Sequence, residues 1–226
     1  MEEKKTMGRN KKYEAVIFDL DGTLLNTLED LKDSVNYGLQ KYDMQERTLE
    51  EIRRFVGNGI QRLIQLAVPK GTGLEEENKV FDAFKEYYKV HCNDKTDLYP
   101  GISNLLAELK KRGFAMAIVS NKLQEGVDAL SRQYFKTYLD VAIGAREGIQ
   151  KKPAPDSVIE ALRLLDIPKE RAVYVGDSEV DIATAQNAQM DCITVTWGFR
   201  SRKEQEAAGA DIFVDKPEEI IPLLYL

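Results

Sequence analysis

Short apolar runs recur along the chain at Tyr13 to Phe18, Phe114 to Val119, Val141 to Gly144, Ala172 to Val175, Cys192 to Thr196 and Ile212 to Val214. They are rich in Val, Ile, Phe or Tyr and too short for buried helices. Their apolarity is continuous rather than alternating, which predicts strands covered on both faces, as in a parallel sheet. Between them the period becomes helical. Ile102 to Arg112 places Ile102, Leu105, Leu106 and Leu109 on one stripe and stops at Gly113. Pro155 to Leu165 repeats the pattern with Val158, Ile159, Leu162 and Leu165, and Asp181 to Asn187 continues it. Strand alternating with helix predicts a doubly wound, Rossmann-like α/β core with a parallel sheet.

One region breaks the alternation. Leu28 to Tyr42, Leu49 to Val56, Ile60 to Ala67 and Leu74 to Val90 are all helical in period, with a break at Pro69 to Gly73 and no strand among them. An all-helical segment inserted after the first strand lies above the carboxyl ends of the strands, where open α/β folds bind ligands. It reads as a cap. The expected organisation is a charged tail over 1–12, a core over 13–27 and 94–226, and a helical cap over 28–93.

Composition narrows the chemistry. With 226 residues, 43% hydrophobic and 31% charged, the chain can fold without a disulfide or a metal staple. Its net charge of −6 and scattered Lys and Arg argue against nucleic acid as a partner. No stretch approaches the length of a membrane span, and the charged start does not read as a signal peptide, so a cytoplasmic location is expected. Cys92 and Cys192 form no Cys-x-x-Cys pair. The single histidine, His91, excludes two-histidine phosphatases and histidine-rich metal clusters. A Cys-x5-Arg loop is also excluded, because positions 98 and 198 hold Leu98 and Gly198.

The polar residues that follow the strands supply candidate chemistry. The first run ends in Asp19-Leu20-Asp21-Gly22-Thr23, the second in Ser120-Asn121, and the fourth in Gly176-Asp177-Ser178 with Asp181 beyond; Lys152 follows the third. Right-handed crossovers bring these ends to one edge of a parallel sheet. The gathered carboxylates repel one another unless a cation binds. Oxygen ligands without His or Cys indicate Mg²⁺, with Asp19 and Asp177 suited to hold it. Asp19 and Asp21 lie on one side of an extended chain, so one can act as nucleophile and the other as general acid and base. Gly22 permits a sharp exit, and Thr23 can hydrogen-bond locally. Ser120 and Lys152 offer a hydroxyl and a charge to phosphate oxygens. Each element alone is an ordinary turn, cap or loop; their coincidence at four strand ends is what points to a site.

These four elements resemble the motifs of the haloacid dehalogenase superfamily: Asp19 to Thr23, Ser120, Lys152 before Pro153, and Gly176, Asp177 and Asp181. The likeness spans about Tyr13 to Pro217. Finer features resemble its phosphoglycolate phosphatase branch: Leu24-Leu25-Asn26-Thr27, Phe55-Val56-Gly57-Asn58-Gly59, Leu98-Tyr99-Pro100-Gly101, Val119-Ser120-Asn121-Lys122 and Trp197-Gly198-Phe199-Arg200. One departure is Ala188-Gln189-Met190, where relatives carry Ala-Gly-Met.

The resemblance implies a Mg²⁺-dependent phosphatase of small phosphorylated metabolites. Asp19 would be its nucleophile and Asp21 its general acid and base. The metal would be held by Asp19, Asp177 and the backbone carbonyl of Asp21, and Asp181 would orient a metal-bound water or Lys152. Thr23 and Asn121 would join Ser120 and Lys152 at the substrate, and Gly57, Asn58 and Gly59 would face it from the cap. Arg53, Arg54 and Arg62 are candidates to meet a substrate carboxylate. Phosphoglycolate leads as substrate, with a sugar-phosphate mutase, a pyrophosphatase or a non-catalytic binding protein as alternatives. No membrane partner is expected, and the chain would act as a monomer or homodimer.

Overall fold

The structure, a computed structural model, describes residues 10–226. Six strands, β1 (Ala15–Phe18), β4 (Ala115–Leu123), β5 (Val141–Ala145), β6 (Ala172–Gly176), β7 (Asp191–Val195) and β8 (Phe213–Val214), form a parallel sheet in the order β5-β4-β1-β6-β7-β8. The remaining two, β2 (Leu25–Asn26) and β3 (Asp97–Leu98), pair antiparallel in a separate ribbon. The expected α/β class with a parallel sheet is what forms.

The continuous apolarity of the strands is explained by their alternation between two covered faces. Val16 and Phe18 join a cluster with Leu105, Leu106 and Leu109 of α5 (Ile102–Lys111) and Val127 and Leu130 of α6 (Gln124–Leu130). Ala15 and Ile17 face the other way, onto Val158, Ala161 and Leu162 of α7 (Asp156–Leu165) and Ala185 and Ala188 of α8 (Glu179–Ala188). Ile159, expected on the α7 stripe, is 57% exposed. Val158, Ala161, Leu162 and Leu165 already complete an i, i+3, i+4, i+7 face, and Ile159 lies a helical step outside it.

Four helices intervene between β2 and β3: α1 (Leu28–Gln40), α2 (Leu49–Phe55), α3 (Ile60–Ala67) and α4 (Leu74–His91). They enclose their own apolar cluster, including Leu31, Val35, Ile52, Ile64 and Phe84, and so form the inserted helical cap. Thr48 starts α2 with a reciprocal capping box to Glu51. The two chain crossings between cap and core run side by side, Leu25 opposite Leu98 and Asn26 opposite Asp97. Asp30 of α1 fastens the return crossing. Its buried carboxylate accepts from Lys95 N (3.0 Å), Thr96 N (2.8 Å) and Thr96 Oγ1 (2.7 Å).

Two differences from expectation concern the ends of elements. The tail was expected to reach residue 12, but Lys12 N donates to Leu224 O (2.9 Å) and Leu226 N to Asn10 O (3.0 Å). Asn10 and Lys12 are therefore already paired through their backbone with the C-terminal segment, and residues 1–9 lie outside the described ones. Gln189 caps α8 in the left-handed conformation at φ 57°. The departure at this position is thus a backbone matter, because that conformation favours glycine. The chain continues through α9 (Arg202–Ala207) and α10 (Ile220–Leu223).

Candidate active site

Register assembles the site. Phe18 pairs with Ile118 on one side and Val175 on the other, so the end of β1 lies level with Ile118 of β4 and Val175 of β6. Asp19 and Asp177 come just beyond their strands, Ser120 lies within β4 where its register shifts between Val119 and Leu123 rather than after the strand as expected, and Lys152 arrives from the loop between β5 and α7. All four border one cavity beneath the cap. Beyond Asp19 the chain folds tightly: the N–H groups of Leu24 and Leu25 both donate to Leu20 O at 3.0 Å. Gly22 is needed there twice over. Its φ is +96°, and a Cβ would stand 2.6 Å from Asp177 Oδ2. Gly176 and Gly198 likewise leave room for the carboxyls of Asp181 and Asp177, which an added Cβ would overlap.

The buried centre is a knot of three carboxylates and one ammonium. Asp19, Asp177 and Asp181 can each bring an oxygen within 4.8 Å of the others. Lys152 Nζ donates to Asp19 Oδ1 (2.6 Å), Asp181 Oδ1 (2.7 Å) and Tyr174 OH (3.0 Å). Burial alone would lower the pKa of Lys152; Asp181 and then Asp19 outweigh it and hold the ammonium charged. Burial, then Asp181, drives Asp19 well above the usual carboxylate range, with Lys152 opposing and Asp177 adding to the rise. Asp177 is pushed to about 7 by burial and by Asp181, against the N–H of Phe199 (2.7 Å to Oδ2) and the hydroxyl of Thr23 (3.2 Å to Oδ1). Asp181 goes the other way: burial would raise it, but Lys152 and Ser178 hold it low. One ammonium thus leaves negative charge uncompensated at Asp19 and Asp177, and all the donors are hard oxygens. These residues fit a small divalent cation.

Asp181 is poorly placed to ligate it. Its Oδ1 takes Lys152 and Tyr174, and its Oδ2 takes Ser178 N (3.0 Å) and Ser178 Oγ (2.6 Å). Thr23 does not border the cavity; it stands behind Asp177 and fixes its carboxyl.

Asp21 lies apart from the three-carboxylate cluster. Its Oδ1 accepts from Thr27 Oγ1 (2.7 Å) and Lys122 Nζ (2.9 Å), and its side chain borders the cavity. The Lys122 side chain is 4% exposed. Burial acts to lower its pKa, yet Asp21 and Tyr88 outweigh burial, so the ammonium stays charged. Ser120 Oγ accepts from Lys122 N (3.2 Å), which leaves its hydrogen free to donate. Asn121 borders the cavity, and its side chain also makes a structural link. Its Nδ2 donates to Gly57 O (3.0 Å) and Lys152 O (2.9 Å), and its Oδ1 accepts from Lys152 N (2.8 Å). The amide joins the lysine loop to the cap.

The cap contributes Gly57 and Gly59 to the cavity, with Leu31, Val56, Ile60 and Leu63; Asn58 is exposed and outside the lining. Arg53, Arg54 and Arg62 do not border it either. The cap is held instead by Arg200, a residue of the core. Its Nη1 donates to Arg53 O (2.7 Å), its Nη2 to Val56 O (2.6 Å), and its Nε to Glu179 Oε2 (2.7 Å). In the sequence, Arg200 and Lys122 stand only as the last residues of the stretches Trp197 to Arg200 and Val119 to Lys122 that resemble the phosphoglycolate phosphatase branch. Neither has a motif spacing of its own that announces a partner.

The comparisons agree with this geometry. The haloacid dehalogenase-like hydrolase profile matches residues 16–195. A phosphoglycolate phosphatase of Mesorhizobium japonicum is 32% identical over 195 residues, covering 84% of this chain and 86% of the relative. The pyrophosphatase PpaX of Bacillus thuringiensis is 29% identical, covering 94% and 97%. A solved structure from Lactobacillus delbrueckii subsp. bulgaricus, provisionally assigned to the phosphoglycolate phosphatases, superposes with a TM-score of 0.90 at 37% identity, covering 95% and 99%. On the profile match and these relatives, the chain belongs to the haloacid dehalogenase-like hydrolases and is phosphoglycolate phosphatase-like.

Proposed function

We propose that the protein is a Mg²⁺-dependent phosphatase of small phosphomonoesters that works through an aspartyl-phosphate on Asp19. The observation that carries this reading is the buried Asp19, Asp177 and Asp181 cluster around Lys152, facing Asp21 across one cavity. Asp19 Oδ2 makes no hydrogen bond among the described residues, while Oδ1 is held by Lys152. That leaves a carboxylate oxygen for attack on phosphorus. Asp21 gives its proton to the leaving alkoxide as the P–O bond breaks. It then takes a proton from the water that attacks the aspartyl-phosphate, which frees phosphate and restores Asp19. Ser120 donates to a phosphoryl oxygen, and Lys152 holds Asp19 in position. Asp19, Asp177 and the Asp21 carbonyl would hold Mg²⁺, which when bound neutralises charge on the phosphoryl group. Asp181 orients Lys152, and Asn121 and Gly57 tie the cap loop to the lysine loop. Residues 28–93 form the cap that excludes bulk water, with its joints at the β2–β3 ribbon.

Phosphoglycolate is the leading substrate, on the strength of the relatives that carry its name. A screen for phosphate release from small phosphoesters, with and without Mg²⁺, tests the proposal. Release that requires the metal and disappears in Asp19→Asn supports it; metal-independent release, or release retained in that variant, overturns it.

A further inference from the structure

Three cations border the cavity: Lys122, Lys152 and Arg200. The ammonium of Lys152 has three protein acceptors, and the guanidinium of Arg200 is bound by Glu179 and two cap carbonyls. Lys122 differs. Its side chain is 4% exposed, yet its ammonium makes a single hydrogen bond among the described residues, 2.9 Å to Asp21 Oδ1. The Tyr88 ring centroid lies 5.0 Å away, and the buried Tyr88 hydroxyl beside it makes no hydrogen bond among the described residues. An ammonium carries three donors, and leaving them unmet away from water is costly. The Tyr88 hydroxyl is near enough to take one of these donors, and what occupies the cavity can take another.

The place of Lys122 identifies which part of the substrate it meets. It stands between Asp21 and Tyr88 of cap helix α4, on the side where the leaving group must lie. Around it the cap lines the cavity with apolar side chains, Leu31, Ile60 and Leu63 among them, and with no side-chain cation among the described residues. The N-terminal end of α3 opens on the same cavity at Gly59 and Ile60 without a side-chain cap, and adds positive potential. We propose that Lys122 reads a negative charge on the leaving group, so that the preferred substrates are phosphate esters or anhydrides whose leaving group is itself anionic close to the bridging oxygen. Asp21 must reach that oxygen and Lys122 touches Asp21, so the charge lies within two hydrogen-bond lengths, about 6 Å. A carboxylate on a two-carbon acid and a second phosphate both satisfy this. The inference rests on the phosphatase reading above.

Kinetics with 2-phosphoglycolate, pyrophosphate and the neutral comparator ethyl phosphate test it, in wild type and Lys122→Met with Mg²⁺ present. The wild type is expected to favour an anionic substrate over ethyl phosphate in kcat/KM by about 10- to 100-fold. Lys122→Met is expected to remove most of that preference, with the loss on the anionic substrate exceeding the loss on ethyl phosphate by about tenfold or more. Preference for phosphoglycolate assigns a carboxylate, and preference for pyrophosphate assigns a phosphate. Equal wild-type rates, or an equal loss on all three in the variant, overturn the proposal, the latter because Lys122 would then only position Asp21. If Lys122→Met fails to fold, the amide of 2-phosphoglycolate decides with wild type alone. A fall to the ethyl phosphate level supports the proposal, and no fall overturns it. Absence of phosphate release from every ester, p-nitrophenyl phosphate included, instead overturns the parent reading.

Discussion

The ammonium of Lys152 lies 2.6 Å from Asp19 Oδ1 with both side chains buried, so the nucleophile candidate and its counter-charge are locked together across 133 residues of chain. Removing the lysine as Lys152→Met leaves Asp19 facing Asp181 without compensation. The expected loss is about 3 to 5 kcal/mol of stability at neutral pH without metal, together with activity. Chemical denaturation at pH 7.5 with a chelator present checks the first, and phosphate release checks the second.

Asp19→Asn separates chemistry from folding. Turnover should fall roughly 10⁴-fold or more, while stability holds or rises because one buried carboxylate is gone. Phosphate release beside a thermal melt reads both.

The pH dependence of the metal-free protein follows from Asp177. Its folded pKa of about 7 exceeds the unfolded value of 3.8, so the folded state binds the extra proton between those values. Stability should therefore fall as pH rises from about 4 to 7, by up to about 4 kcal/mol, and Asp19 adds to the fall with the same sign. Asp181, held low, acts only below that window. Mg²⁺ should reverse the loss, and raise the melting temperature more at pH 8 than at pH 5. Melting curves with Mg²⁺ or chelator across this range test it; an equal metal effect at both pH values would count against the metal site.

Arg200→Ala should loosen the cap without touching the reacting groups. Its bonds to the carbonyls of Arg53 and Val56 hold the loop that lines the cavity. KM is expected to rise about tenfold, with faster amide exchange over residues 53–59.

Gln189→Gly restores the residue that suits a left-handed cap. It should stabilise the protein by about 0.5 to 1 kcal/mol with activity unchanged, measured by urea denaturation and phosphate release.

The sequence made the sheet and the motif residues readable because both rest on local pattern. The runs ending at Phe18 and Val175 are continuous in apolarity, and Asp19 and Asp177 directly follow them. Lys122 and Arg200 were harder to assign because their partners are distant and partly backbone: a carboxylate 101 residues away for Lys122, and carbonyls 147 and 144 residues away for Arg200. Asn121 borders the cavity as its place beside Ser120 suggests, but the link its amide makes from Gly57 to Lys152 spans distant segments and has no signature in the sequence. The β2–β3 ribbon escaped notice because two residues a side carry no periodicity.

That ribbon has a consequence for how such a protein can change. Because Asn26 and Asp97 are neighbours, the chain departs from the core and re-enters it at almost one point. Everything between them could be excised and the gap closed by a short turn, leaving the sheet and its strand ends undisturbed. The helical segment is in effect a cassette, exchangeable by recombination at two adjacent splice points, so a new leaving-group specificity can be installed without rebuilding the phosphoryl-transfer machinery.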